Sequence, residues 1–192
     1  MGQYFRAVIL TDDKKEIKKY AESWNFKYEW EGTEMMCLAK MTEHSYIGNQ
    51  FVAAVEKTFV NNPQRLVWAG DYADELEGGM NLFDLCEGKP RIRQNKKADL
   101  EMLEGMRCIN HDKKQYYIIP TEKSDELVFD PLPILTCEGN GRGGGDYFGE
   151  WNKDLVGTWR GDMIEIRTKS PKGYERIYPE FMVSWMKGYY ER

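Results

Sequence analysis

The sequence predicts an α+β fold, a mixed or mainly antiparallel sheet with two or three helices, in a single domain spanning residues 1–192. Segments of strand and helix character do not alternate regularly along the chain, which disfavours a doubly wound parallel sheet. Two pairs of strand-like runs are joined by short turns, the local signature of antiparallel hairpins. A chain of 192 residues is long enough to bury one continuous core and needs no second domain.

Residues 3–10 read as a first strand, rich in β-branched and aromatic side chains. Thr11-Asp12-Asp13 offers an N-cap for a helix over 14–24, in which Ile17, Tyr20, Ala21 and Trp24 share one face. Residues 26–30 and 34–40 predict a hairpin through Glu31-Gly32-Thr33. Gly48-Asn49 then caps a helix over 50–60, with Phe51, Val52, Val55 and Phe59 on its apolar stripe, stopped by Asn61-Asn62-Pro63. Residues 65–68 form a buried strand that runs into the turn Ala69-Gly70-Asp71.

The stretch 75–104 is charged and irregular apart from an apolar helix-like piece at 80–86, and reads as an insertion or flap. Residues 106–110 and 115–119 predict a second hairpin around His111-Asp112-Lys113-Lys114, with His111 exposed to solvent. A proline-containing loop at 130–133 leads to a short strand at 134–137. A strand is expected within 156–167, and the aromatic tail 178–190 has helical character.

A formal charge of -5 argues against a duplex nucleic-acid binder, which clusters Lys and Arg against phosphates. A small anionic or nucleotide-like partner is compatible with it, because one Arg and a few backbone amides hold a phosphate locally. No stretch approaches the 18 apolar residues of a membrane span, and the first residues carry no export signal, so a cytoplasmic protein with no membrane partner is expected. Cys37, Cys86, Cys108 and Cys137 are widely spaced and accompanied by only two histidines. No metal site is predicted, and the thiols are expected to be reduced and mostly buried.

Five glycines fall within the seven positions from Gly139 to Gly145, in the segment Glu138-Gly139-Asn140-Gly141-Arg142-Gly143-Gly144-Gly145-Asp146. Each glycine enlarges the unfolded ensemble by roughly 0.4–1 kcal/mol relative to alanine, so five cost about 2–5 kcal/mol of a typical stability of about 5–15 kcal/mol. The backbone must require them, either for positive φ or for close approach to a ligand. The candidate ligand-binding residues here are Asn140, Gly141, Gly143 and Gly144 through their amides, Arg142 through a bidentate contact, and Asp146 through a ribose hydroxyl or a metal. The competing reading is a tight bulged connection with a solvated arginine. No Gly-Lys-Ser/Thr follows, so this is not a Walker loop.

Trp68-Ala69-Gly70-Asp71 and Trp159-Arg160-Gly161-Asp162 repeat the pattern W-x-G-D. If both turns end strands on the same side of a sheet, Trp68 and Trp159 give a stacking platform, while Asp71 and Asp162, with Tyr72 beside the first, read a polar edge. Two buried tryptophans beneath two turns are the alternative. Before the helix at 50–60, Ser45 sits where helix amides favour an anion, and His44 is the candidate general base if the protein is an enzyme.

Met1-Gly2-Gln3-Tyr4, the run Val67-Trp68-Ala69-Gly70-Asp71-Tyr72-Ala73-Asp74, the glycine segment 139–146 and Val156-Gly157-Thr158-Trp159-Arg160-Gly161-Asp162 together resemble a family of small, uncharacterised bacterial and phage proteins. The resemblance implies that these segments form one site. The function expected is binding of a nucleotide-like or phosphorylated small molecule, in its strongest form a phage counter-defence sponge that sequesters a nucleotide signal. A nucleotide hydrolase or phosphodiesterase using His44 and a carboxylate is the alternative, and a protein-interaction module is the third. The sequence names no cofactor.

Overall fold

In the computed structural model, residues 4–22, 28–30, 33–35, 50–73, 79–92, 103–119, 130–138 and 152–179 are described. The strands are β1 (Phe5–Leu10), β2 (Ile17–Ala21), β3 (Tyr28–Trp30), β4 (Thr33–Met35), β5 (Gln64–Gly70), β6 (Arg107–Asn110), β7 (Gln115–Ile118), β8 (Met163–Arg167) and β9 (Glu175–Arg176). The helices are α1 (Gln50–Lys57), α2 (Leu82–Leu85) and α3 (Pro131–Thr136), with a 3-10 turn at Lys153–Leu155. Seven strands form one sheet in the order β2-β1-β5-β8-β6-β7-β9, while β3 and β4 pair separately. Every neighbouring pair in the large sheet is antiparallel except β7 with β9. The fold is therefore α+β with a mixed, mainly antiparallel sheet.

Alternation along β1 and β5 sends side chains to two covered faces. Phe5, Ala7, Ile9, Leu66 and Trp68 join Phe51, Val52, Val55 and Phe59 of the α1 segment and Leu132 and Leu135 of α3 in the larger core. Val8, Leu10, Val67 and Ala69 face the other way and pack with Tyr20, Cys86, Leu82 and Phe83. Of the stretch expected as an insertion or flap, residues 79–92 therefore cover the second face of the sheet. They are fixed by backbone hydrogen bonds from Ile92 N to Tyr20 O (2.7 Å) and from Tyr20 N to Pro90 O (3.0 Å). α2 within them matches the helix-like piece at 80–86.

Both predicted hairpins form, β3 with β4 and β6 with β7, as do α1 and the strand now bounded as β5. Three expectations are corrected. The helix expected over 14–24 is not found in its described part, 14–22: Ile17–Ala21 is β2, paired antiparallel with β1. The polar cluster that looks like an N-cap instead closes a hairpin loop. Thr11 N donates to Glu16 O (2.9 Å), Glu16 N to Thr11 Oγ1 (3.1 Å) and Lys15 N to Asp13 Oδ1 (3.2 Å), with Lys14 in the left-handed region at φ 63°. Such side-chain bonds compete with helix initiation, and pairing with β1 settles the outcome.

The second correction is at 130–137, where a loop and strand give way to α3. Asp130 accepts from Leu132 N at 3.0 Å as N-cap, and Pro131 takes the first helical position, where its missing N–H costs nothing. Of the strand expected at 134–137 only Cys137 is extended, bridging in parallel to Trp68. Third, the strand expected within 156–167 is confined to Met163–Arg167, because residues 156–161 turn after the 3-10 segment.

Candidate functional site

The glycine segment with Asn140, Gly141, Arg142, Gly143, Gly144 and Asp146 lies outside the described residues, as do His44 and Ser45. Its stem is described. α3 delivers Cys137 alongside Trp68 of β5, and the next residue, Glu138, holds its buried carboxylate 3.7 Å from the Arg160 guanidinium. The stem and the second W-x-G-D turn are thus neighbours.

The two W-x-G-D turns do not build the expected platform. Trp68 is wholly buried, its ring 5.3 Å from that of Phe51. Trp159 is buried against Tyr117 at 5.8 Å and donates its Nε1 hydrogen to Gln115 Oε1 at 3.3 Å. Both indoles belong to the core. The carboxylates are separated too: the Asp162 carbonyl accepts from Leu66 N, whereas Asp71 follows the end of β5, about 16 Å further along at strand rise. Asp71 Oδ1 accepts from Tyr4 N at 2.9 Å, and burial raises its carboxyl above the usual range against the pull of that bond. Tyr72 beside it is exposed.

Asp162 does different work. Its Oδ2 accepts from the buried Asn110 Nδ2 at 2.8 Å, and its Oδ1 lies 3.4 Å from Lys14 Nζ. Lys14 also reaches Asp112 at 3.5 Å, and Arg65 donates to Asp112 Oδ2 at 2.6 Å and to the Asp12 carbonyl at 2.8 Å. Burial works against the charge on Asp112, but the hydrogen bond and charge of Arg65, aided by Lys14, outweigh it and hold the carboxyl below its ordinary value. This network ties the β1–β2 loop to the start of β8.

Between the β1–β2 loop, α2 and the Arg160–Gly161 corner lies an open cleft of about 540 Å³. Leu10, Ile17, Val67, Leu82 and Leu85 give it an apolar floor. Its rim carries Lys14, Lys15, Lys89 and Arg160 against one carboxylate, Glu16. Among the described residues, no carboxylate lies within ion-pair distance of Lys15 or Lys89. Gly161 shapes the wall: at φ +69° it donates to Leu66 O at 2.8 Å, and a side chain would find room there but not the backbone conformation. An apolar floor with a cationic rim suits an anion that carries an apolar or aromatic body.

Of the residues named from sequence, Asp162 braces this cleft through Lys14, and Asp71 and Tyr72 lie away from it. Lys14, Lys15 and Lys89 escaped sequence reasoning because the hairpin loop and the 79–92 segment bring them together only in three dimensions. His111 is a second correction to the site reading. It is not a solvated turn residue: its Nε2 lies 2.8 Å from Glu165 Oε2, a fully buried carboxylate, and its Nδ1 3.1 Å from the Tyr174 hydroxyl. Among the described residues, no group of three or more His, Cys, Asp or Glu side chains is placed to hold a metal ion, and no helix is long and apolar enough to cross a membrane. Comparison with protein-family models, curated proteins and solved structures returns no match to this chain.

Proposed function

We propose that the protein binds a small phosphorylated, nucleotide-like ligand in the cleft beside Arg160. The observation that carries this reading is the pairing of four cationic side chains with an apolar floor in one cleft whose wall, Arg160, contacts the stem residue Glu138. Phosphate takes the cations, and a base or other flat body takes the floor. Arg142 from the glycine segment would add a further bidentate contact. Cys86 and Cys108 are free thiols and, like Cys137, buried, which supports a reducing, cytoplasmic setting. On the resemblance to small phage proteins, the physiological role is sequestration of a nucleotide signal of host defence.

Mass spectrometry of the purified protein before and after denaturation, with a nucleotide panel, is the direct test. Intact nucleotide released only on denaturation is the expected result, and a converted nucleotide would replace sequestration with catalysis. Arg160→Ala and Lys89→Ala are each expected to weaken nucleotide binding about tenfold in calorimetry, the ~1.4 kcal/mol of one charge-assisted contact. Unchanged affinity in both variants, alongside lost affinity in Arg142→Ala, would move the ligand out of the cleft and onto the glycine segment alone.

A further inference from the structure

A second cavity of about 450 Å³ lies next to the cleft, lined by Tyr20, Gly88, Lys89 and Arg91. Lys89 lines both cavities, so they are two lobes meeting at one cation. Ile17 of β2 belongs to the first lobe and Tyr20 of the same strand to the second; across the bulge that pairs them with Leu10 and Val8, the two residues stand about 7 Å apart at strand rise. The second lobe has its own fixed charge. Arg91 donates from Nε to the Tyr20 hydroxyl at 2.6 Å, with Glu22 Oε1 3.5 Å away, while half of its side chain stays accessible. Tyr20 itself is buried, so the guanidinium is anchored to a rigid phenol and not left to wander. Gly88 at φ +78° has no atom within 4 Å of where a Cβ would stand, leaving the backbone there open to close approach.

Resting on the reading of the cleft above, we infer that the ligand carries two phosphate groups separated by an apolar or aromatic body. One phosphate sits among Lys14, Lys15 and Arg160, the other against Arg91, and Lys89 serves both. A single phosphate fills only one lobe, and a compact polyphosphate leaves the apolar floor of Leu10, Val67 and Leu82 uncovered. The class that satisfies both lobes is a dinucleotide-like bisphosphate.

Calorimetric titration with adenosine monophosphate and with the linear dinucleotide pApA tests this on the full chain. The expected result is that pApA binds at least tenfold more tightly than the mononucleotide. Arg91→Gln should remove that advantage and leave the mononucleotide unchanged, whereas Arg160→Ala should weaken both. Thermal midpoints of the two variants within a few degrees of the parent establish that the fold is intact, and Lys89→Ala, whose side chain lies at the junction, should weaken both probes, as Arg160→Ala does. Equal affinities for the two probes, or equal losses of both in Arg91→Gln, would overturn the two-lobe assignment alone. If neither probe binds, the reading of the cleft falls together with it.

Discussion

Trp68→Ala is expected to destabilise the protein by about 3–5 kcal/mol, a large part of a typical domain's total of about 5–15 kcal/mol. Trp68 has no exposed surface and stands between Phe51 and the strands that carry Leu66, Phe5 and Ile9, so its removal leaves a cavity among rigid neighbours. Among the described residues its Nε1 hydrogen, which is buried, finds no acceptor. Trp68→Phe therefore exchanges some volume for relief of an unsatisfied donor, and is expected to cost clearly less than the alanine variant. Trp159→Ala should fall in the same range, with the added loss of the bond to Gln115. Urea unfolding measures these effects as a lowered midpoint at unchanged slope. A Trp68→Ala variant of near-parental stability that has lost ligand affinity would instead restore the tryptophan as a stacking platform.

This expectation marks where sequence and structure part. The pattern W-x-G-D is a real repeat, but its first copy is the end of β5, which holds Trp68, Ala69 and Gly70, and β8 follows its second, so the two copies do opposite jobs. One terminates a strand at Asp71, and the other feeds a strand from Asp162. Spacing alone does not carry that information. The antiparallel hairpins were legible because turn residues and alternating strands are local signals, and α1 was legible because Phe51, Val52, Val55 and Phe59 all bury as their spacing requires.

Over 14–24 the same kind of local signal misleads. Ile17, Tyr20 and Ala21 satisfy a helical stripe, and they also suit a strand whose end is buried on both faces, Ala21 in the larger core and Tyr20, paired with Val8, in the other. The partner strand decides, and it is not in the window. The consequence reaches the candidate site directly. A helix would have carried Lys14 and Lys15 away on a solvated face, whereas the hairpin loop turns them over the apolar floor beside Arg160. The Asp130-Pro131 pair was, by contrast, a readable helix start, since a capping carboxylate followed by proline at the first helical position is a local signal.

Glu56→Gln should flatten the decline in stability expected of the parent protein as pH rises. Glu56 projects from α1 into the core, almost without exposure, and its Oε1 has no hydrogen-bond partner among the described residues. Burial, and then the nearby charge of Asp130, raise its carboxyl well above the ordinary range. Burial likewise pushes Asp130 up to about 6, despite the bond it accepts from Leu132 N. Both groups hold protons in the folded state that the unfolded chain releases near their ordinary values of 3.8 and 4.5. The folded state then binds more protons, so stability falls with rising pH, by at most about 1.4 kcal/mol per pH unit for each group. The Asp130 share develops from near pH 4 to about 6, and the Glu56 share continues above it. Asp130 keeps partial surface accessibility, and the solvent this admits limits its share to about 1–2 kcal/mol. Gln keeps the shape of Glu56 and removes the charge, so at pH 8 the variant should be more stable than the parent by about 1–3 kcal/mol. Asp130→Asn retains a good N-cap and isolates the second carboxyl. Carboxylates held low, such as Asp112, act in the opposite sense as pH falls, so the informative quantity is the difference between parent and variant urea midpoints from pH 4 to 9. A difference that grows above pH 6 for Glu56→Gln fits two buried acids sharing one desolvated site. A difference constant across the range would mean that neither group changes its protonation on folding.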